Sequence, residues 1–249
     1  MKFFFIIYSR RLLILSMCFF VWILGSLHAD DETISQPDLE KQATLYIGLG
    51  ADCRVATKIG QFGVRKAAFP FDWILSVSSS GISHLIRDGF EFFLDERFFV
   101  RHKRYLHFVV NSYYNIEFRH EWNSYDKYKE TLNDIQLKYQ RRIDRFYRLR
   151  QYKGKVFFIR ISFDPEMVDP GLKGLPKENL SITNDDAIEL RDALKERFPD
   201  LKFKLAVVNY LEVMDVPLEI EDVIEFKFNR GHDNEGFSNM FNSLKSLEW

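Results

Sequence analysis

The sequence predicts an α/β fold: a largely parallel sheet flanked by helices in three layers, forming a single domain after an N-terminal signal peptide. Two observations carry this. Short, almost continuous apolar runs alternate with segments of helical periodicity in the second half of the chain. Strands of that kind belong to sheets covered on both faces. In addition, no internal repeat, low-complexity tract or Gly/Ser linker interrupts the chain after residue 42.

The first residues predict processing. Lys2, Arg10 and Arg11 precede the apolar run Leu12 to Leu27, and His28-Ala29 leads into Asp30-Asp31-Glu32. A basic start, a short apolar core and a small residue at the cut describe a secretory signal peptide. Residues 1–29 are therefore read as removed, 30–42 as a flexible polar lead, and 43–249 as the working domain. The expected location is periplasmic or secreted. The alternative is an uncleaved N-terminal anchor, although 16 apolar residues fall short of the roughly 20 that a spanning helix needs.

The elements follow in order. Leu45 to Leu49 is an apolar run closed by Gly50, a buried strand. Asp52 reads as the cap of a helix carrying Val55, Ala56 and Ile59, which puts Cys53 in its first turn. Ala68 to Ser76 holds Pro70 and reads as a packed loop. A helix with Ile82, Leu85 and Ile86 inward ends at Gly89. Tyr105 to Val110 and Tyr113 to Phe118 read as two strands. Apolar residues spaced by threes and fours from Trp122 to Leu149 predict one long amphipathic helix, its last turns rich in arginine. Then come a strand at Val156 to Ile161, a helix opened by a Thr183/Asp186 capping box, strands at Phe203 to Val208 and Val223 to Phe228, and a helix over Gly236 to Leu244.

Composition narrows the function. The net charge is −1 and the leader carries three of the cations, so the basic excess of a nucleic-acid binder is missing. With 46% hydrophobic residues and 25 Phe, the chain has the material for a packed core. Cys18 falls in the leader, which leaves Cys53 as the one mature cysteine, and no C-x-x-C or other zinc spacing occurs. Gly48 and Gly50 do not make a dinucleotide fingerprint, because Cys53 stands where the third glycine belongs. No cofactor is expected. The expected partner is a small-molecule or peptide substrate, with a membrane involved only if the leader stays.

Ligands of open α/β sheets bind beyond the carboxyl ends of the strands, and IGLGADC delivers Cys53 there. A thiol at a helix start meets backbone N–H groups and the positive end of the dipole, which favour the thiolate. The other reading is that Cys53 merely fills space, as buried cysteines often do. A nucleophile needs a base, and two histidines stand at strand ends: His120 in RHEW and His232 in RGHDNEG. His107, inside a strand, His84, inside a helix, and His102, in a charged loop, read as structural or solvated. Asp52, Asp72, Trp73, Arg142 and Arg145 are the candidate substrate-binding residues, the arginines as a clamp for a carboxylate or phosphate or simply as a solvated helix end. Arg160, in an apolar strand, either ends at the site or needs a buried acid.

The succession GLGADCRVA, AFPFDWILS, FRHEW and YQRRIDRFYRL resembles an uncharacterised bacterial family described as putative papain-like cysteine peptidases. The likeness runs from about residue 45 to 245. It rests on Gly50 and Cys53, the PFDW block Pro70 to Trp73, His120-Glu121, the stretch Arg141 to Phe146, and Gly231 to Asp233, with Phe237 where the family pattern has Trp. The resemblance implies a nucleophile at Cys53, His120 as its base, and Asp233 or Asp72 as orienter. A papain fold, with a helical half before an antiparallel barrel, would disagree with the alternating pattern of the second half.

Two other readings stay open. G-A-D-C after the first strand is similar to the G-D-S turn of lipase-like esterases, with Cys for Ser and His232 as the late histidine. Alternatively, the chain is a non-catalytic binding protein for an anionic or sugar-like ligand, with an aromatic cleft at Phe69, Phe71 and Trp73.

Overall fold

The computed structural model describes residues 43–103, 105–122, 124–163, 181–210, 219–229 and 232–248. The signal-peptide and lead assignments (1–42), and Gly231 in the late loop, lie outside the described residues.

Four strands form one parallel sheet in the order β1 (Leu45–Gly48), β6 (Val156–Ile161), β7 (Phe203–Tyr210), β8 (Val223–Phe228). Register sets Ile47 against Phe158, Phe158 against Leu205, and Val208 against Phe226. Side chains alternate across these strands, and the two faces feed two separate cores. Leu45, Ile47 and Phe158 pack with α2 (Ser79–Arg87), α3 (Tyr128–Tyr147) and α4 (Asn184–Arg197). Tyr46, Phe157, Ile159 and Ile161 pack with α1 (Arg54–Gln61) and α5 (Asp233–Ser246). Helices therefore cover both faces of a parallel sheet, as the apolar runs predict.

The capping box is present: Asp186 N donates to Thr183 Oγ1 at 3.1 Å, and Thr183 N to the Asp186 carboxylate at 3.0 Å. The long helix is shorter than its periodicity, because single 3-10 turns at Tyr125–Lys127 and Arg148–Gln151 flank α3. Trp122 precedes it, with its indole N–H on Thr131 Oγ1.

The sequence does not announce a second sheet, yet one exists: β2 (Leu75–Ser76), β5 (Ile116–Phe118), β4 (Val109–Asn111) and β3 (Phe99–Arg101), all antiparallel neighbours. Strands of two or three residues are too short to show alternation. The expected strand start at Tyr105 is instead a turn, closed by Phe108 N on Tyr105 O, so His107 lies in that turn and is exposed. Asn115, with φ 54°, closes the β4–β5 hairpin. Among the described residues no helix is long and apolar enough to cross a membrane.

Candidate active site

The chain leaves β1 through two left-handed residues, Gly50 and Ala51, both with φ 76°. Only glycine enters that region freely. At Gly50 space is tight as well, since a Cβ would stand 3.0 Å from Ser76 Oγ and 3.4 Å from Arg160 Nη1. Ser76 laces the turn to β2: its hydroxyl accepts from Ala51 N at 3.2 Å, and its amide donates to Ala51 O at 3.0 Å.

Arg160 lies beneath the turn, 1% exposed. Its Nη1 donates to Leu49 O at 2.9 Å and to Ser76 Oγ at 2.7 Å, and its Nη2 to Ser76 O at 2.8 Å. Burial lowers this guanidinium to about 10, against the through-space pull of Asp186 and Asp52. It stays charged at neutral pH. The buried acid that an arginine in an apolar strand calls for is replaced here by carbonyl and hydroxyl oxygens.

Cys53 caps α1 with helical dihedrals (φ −72°, ψ −7°), and its carbonyl accepts from Thr57 N at 2.9 Å. The Asp52 carboxylate accepts from the Arg54 amide at 2.8 Å, as a helix-capping aspartate does. The thiol therefore stands at the mouth of the first helical turn, partly exposed, beyond the carboxyl end of an edge strand.

Arg54 binds Asp52 a second time through Nε, at 2.8 Å. Its Nη1 donates to the Tyr210 hydroxyl and lies 3.7 Å from Asp233 Oδ2. The Tyr210 hydroxyl donates to Asp233 Oδ1 at 3.1 Å. The ends of β1, β6 and β7 and the start of α5 thus meet around one guanidinium.

His120 follows β5. Its ring packs edge-on against Trp73, with centroids 5.7 Å apart, and Arg65 lies 5.5 Å over the Trp73 ring. Burial pushes its pKa down; Glu121 and Asp52 pull it up and Arg119 pushes it down. Of the acids proposed to orient a histidine, Asp72 binds Phe69 N at 2.9 Å and Arg65 at 3.0 Å, and Asp233 binds the Arg54–Tyr210 pair. The neighbour of the cysteine, Asp52, is the aspartate whose charge reaches His120.

A buried charge layer lies behind His120. Glu121, 2% exposed, meets Lys138 and accepts from the Tyr139 hydroxyl at 2.9 Å, with Arg142 Nη1 3.9 Å away. Arg142 is buried, and Arg145 donates to the carbonyl of Ala68. Both arginines also act on Asp72. Burial raises the Asp72 pKa, and Arg65 and the Phe69 amide counter it. Arg142 and Arg145 are thus applied to the PFDW turn and to Glu121, while Arg141, Arg148 and Arg150 are exposed at the solvated end of the helix. Phe69 and Phe71 are core residues, so an aromatic cleft would have Trp73 alone of the three.

His232 precedes α5, 65% exposed, with Nδ1 3.5 Å from Glu235. His102 is more enclosed than a charged loop suggests: its Nδ1 accepts from Tyr105 N at 2.8 Å, and its Nε2 is 3.6 Å from Glu117. Among the described residues no three of His, Cys, Asp and Glu are grouped to hold a metal ion.

A family model described as "Putative papain-like cysteine peptidase (DUF1796)" matches residues 44–212. The chain belongs to this family. The match takes in Cys53, Asp72, Trp73, His120, Arg142 and Arg145, and it ends before His232 and Asp233. Uncharacterized protein R408 of Acanthamoeba polyphaga mimivirus is 29% identical over 143 residues, 49% of this chain and 63% of that protein. The chain thus spans less than two thirds of that relative's length. No solved structure matches. The peptidase family's descriptive name suggests a papain fold, but the parallel sheet with helices on both faces is a different architecture from a helical half followed by an antiparallel barrel.

Ser76, Arg54 and Tyr210 are not among the residues that the sequence singles out. Arg54 carried a signal, a cation directly after the candidate nucleophile in a strand-to-helix turn. Ser76 and Tyr210 carried none.

Proposed function

We propose that the protein is a cysteine hydrolase, a peptidase or related thiol enzyme, that cleaves an amide or ester outside the cytoplasm. Cys53 attacks the carbonyl, and His120 takes the thiol proton and returns it to the leaving group. The observation that carries this reading is the sequence of contacts around Asp52. It adjoins Cys53, accepts from the Arg54 amide where the helix opens, and acts electrostatically on His120, which lies inside the family match. A neutral imidazole is the form that accepts a proton, and burial favours it. Backbone amides at the start of α1 are positioned to stabilise an oxyanion, other than that of Arg54, which Asp52 occupies. Trp73, edge-on to His120 and with Arg65 over its ring, forms the wall that a substrate would meet.

The test is a screen of ester and peptide substrates with wild type, Cys53→Ala and His120→Ala. Hydrolysis abolished by Cys53→Ala and reduced by His120→Ala supports the reading; full hydrolysis by Cys53→Ala rules it out.

A second reading takes His232 as base, in the manner of lipase-like hydrolases. It is favoured by the 3.7 Å approach of Arg54 to Asp233, because each of those residues directly follows one of the two candidate groups. Activity that survives His120→Ala and is lost in His232→Ala selects it. A third reading, a binding protein for an anionic ligand, is selected by a ligand that binds wild type and Cys53→Ala equally.

A further inference from the structure

Arg54 makes more polar contacts than an ordinary helix residue. Its amide and Nε both donate to the Asp52 carboxylate, each at 2.8 Å. Nη1 serves the Tyr210 hydroxyl and faces Asp233 at 3.7 Å, while Nη2 reaches the Ser162 carbonyl at 3.5 Å. The side chain is only 11% exposed. An isolated surface pair would contribute little. A guanidinium fork enclosed by partners from β7, α5 and the residue after β6 has its direction fixed.

We propose that Arg54 is a positioning residue, holding the Asp52 carboxylate in place toward His120 while its far end ties α5, through Tyr210 and Asp233, to the turn that carries Cys53. The proposal rests on the reading of Cys53 and His120 as nucleophile and base. It gives Asp233 a different task from the one the family resemblance implies: it serves Arg54 and not a histidine. A change at the start of α5 would then be felt at His120.

The groups facing His120 are Glu121 and Asp52, both acids, the cation Arg119, and the Trp73 ring with Arg65 stacked beyond it. Asp52 favours the imidazolium. A positioning role and a plain charge role for Arg54 therefore differ in sign. Without the guanidinium, Asp52 keeps the Arg54 amide on Oδ1 but loses the bond that fixes Oδ2, the carboxylate turns, and the His120 midpoint falls. Loss of a nearby cation with the carboxylate unmoved would raise the midpoint instead.

The experiment is an NMR titration of the His120 ring in the full chain, for wild type, Asp52→Asn, Arg54→Gln and the double variant. The expected result is a lower midpoint in each single variant and no further fall in the double, the non-additivity of two residues acting as one unit. Arg54→Lys keeps the charge without the fork and is expected to move the midpoint down as well. A midpoint that rises or stays put in Arg54→Gln, or effects that sum in the double, overturns the proposal. If Arg54→Gln does not fold, Asp233→Asn and Tyr210→Phe carry the test, with the same downward shift expected and an unmoved midpoint contradicting it. The readout involves no substrate, so its outcome is separable from whether Cys53 hydrolyses anything.

Discussion

Arg54 Nη1 and Asp233 Oδ2 lie 3.7 Å apart, although one follows β1 and the other begins α5, 179 residues further along the chain. The pair closes the carboxyl-end rim of the parallel sheet. It brings the turn of Cys53 and the start of α5 into one polar cluster, with Tyr210 between them.

The turn that presents Cys53 depends on a residue without a side chain. Gly50→Ala places a methyl 3.0 Å from Ser76 Oγ at φ 76°. The left-handed conformation alone costs about 1–2 kcal/mol for an L residue. Urea unfolding is expected to show a loss of at least that size. A variant as stable as wild type would mean that the turn has another conformation.

Arg160 supports the same turn from below. Arg160→Met keeps much of the apolar stem but strips the hydrogen bonds from the carbonyls of Leu49 and Ser76 and from the Ser76 hydroxyl. Each buried acceptor left unsatisfied costs about 1–3 kcal/mol. A strong drop in the denaturation midpoint is expected, together with faster proteolysis of the native protein. Ser76→Ala removes one acceptor, shared by Ala51 N and Arg160 Nη1, and is expected to be milder.

The His120 shift has a pH consequence whose sign follows from its cause. Burial depresses the folded-state pKa below the ordinary value near 6.5. The stability associated with a neutral His120 is complete above that ordinary value. It is lost as pH falls from about 6.5 toward the folded-state value, because the unfolded chain takes up the proton first. Denaturation midpoints measured from pH 8 to 5 are expected to fall on the acid side for wild type. The fall should be shallower in His120→Gln; an identical slope would place His120 in a more solvated setting than the one described.

Much of the fold is legible in the sequence, and the reasons are physical. Strands β6 and β8 have the bounds that their apolar runs give, and the Thr183 box starts α4 where Thr and Asp stand three apart. Those signals are local and long enough to count. The antiparallel sheet is different: β2 has two residues, and β3, β4 and β5 have three each. The apolar runs at Tyr105 to Val110 and Tyr113 to Phe118 point to β4 and β5, but β2 and β3 are too short to show a period. The site divides in the same way. Cys53 is legible because a strand, a glycine turn and a helix cap occur in seven consecutive residues. The tasks of Asp233 and Arg142 are not, because each depends on a partner from a distant part of the chain, Arg54 and Glu121.

The central claim is that Cys53 is a thiol activated by His120, and the alkylation rate of Cys53 against pH measures this most directly. The profile should be taken in the folded wild type, His120→Ala and His232→Ala. The account predicts fast alkylation well below the ordinary thiol pKa of about 8.5, lost in His120→Ala and kept in His232→Ala. A thiol that reacts only once the protein is unfolded, or a profile unchanged by His120→Ala, would contradict it.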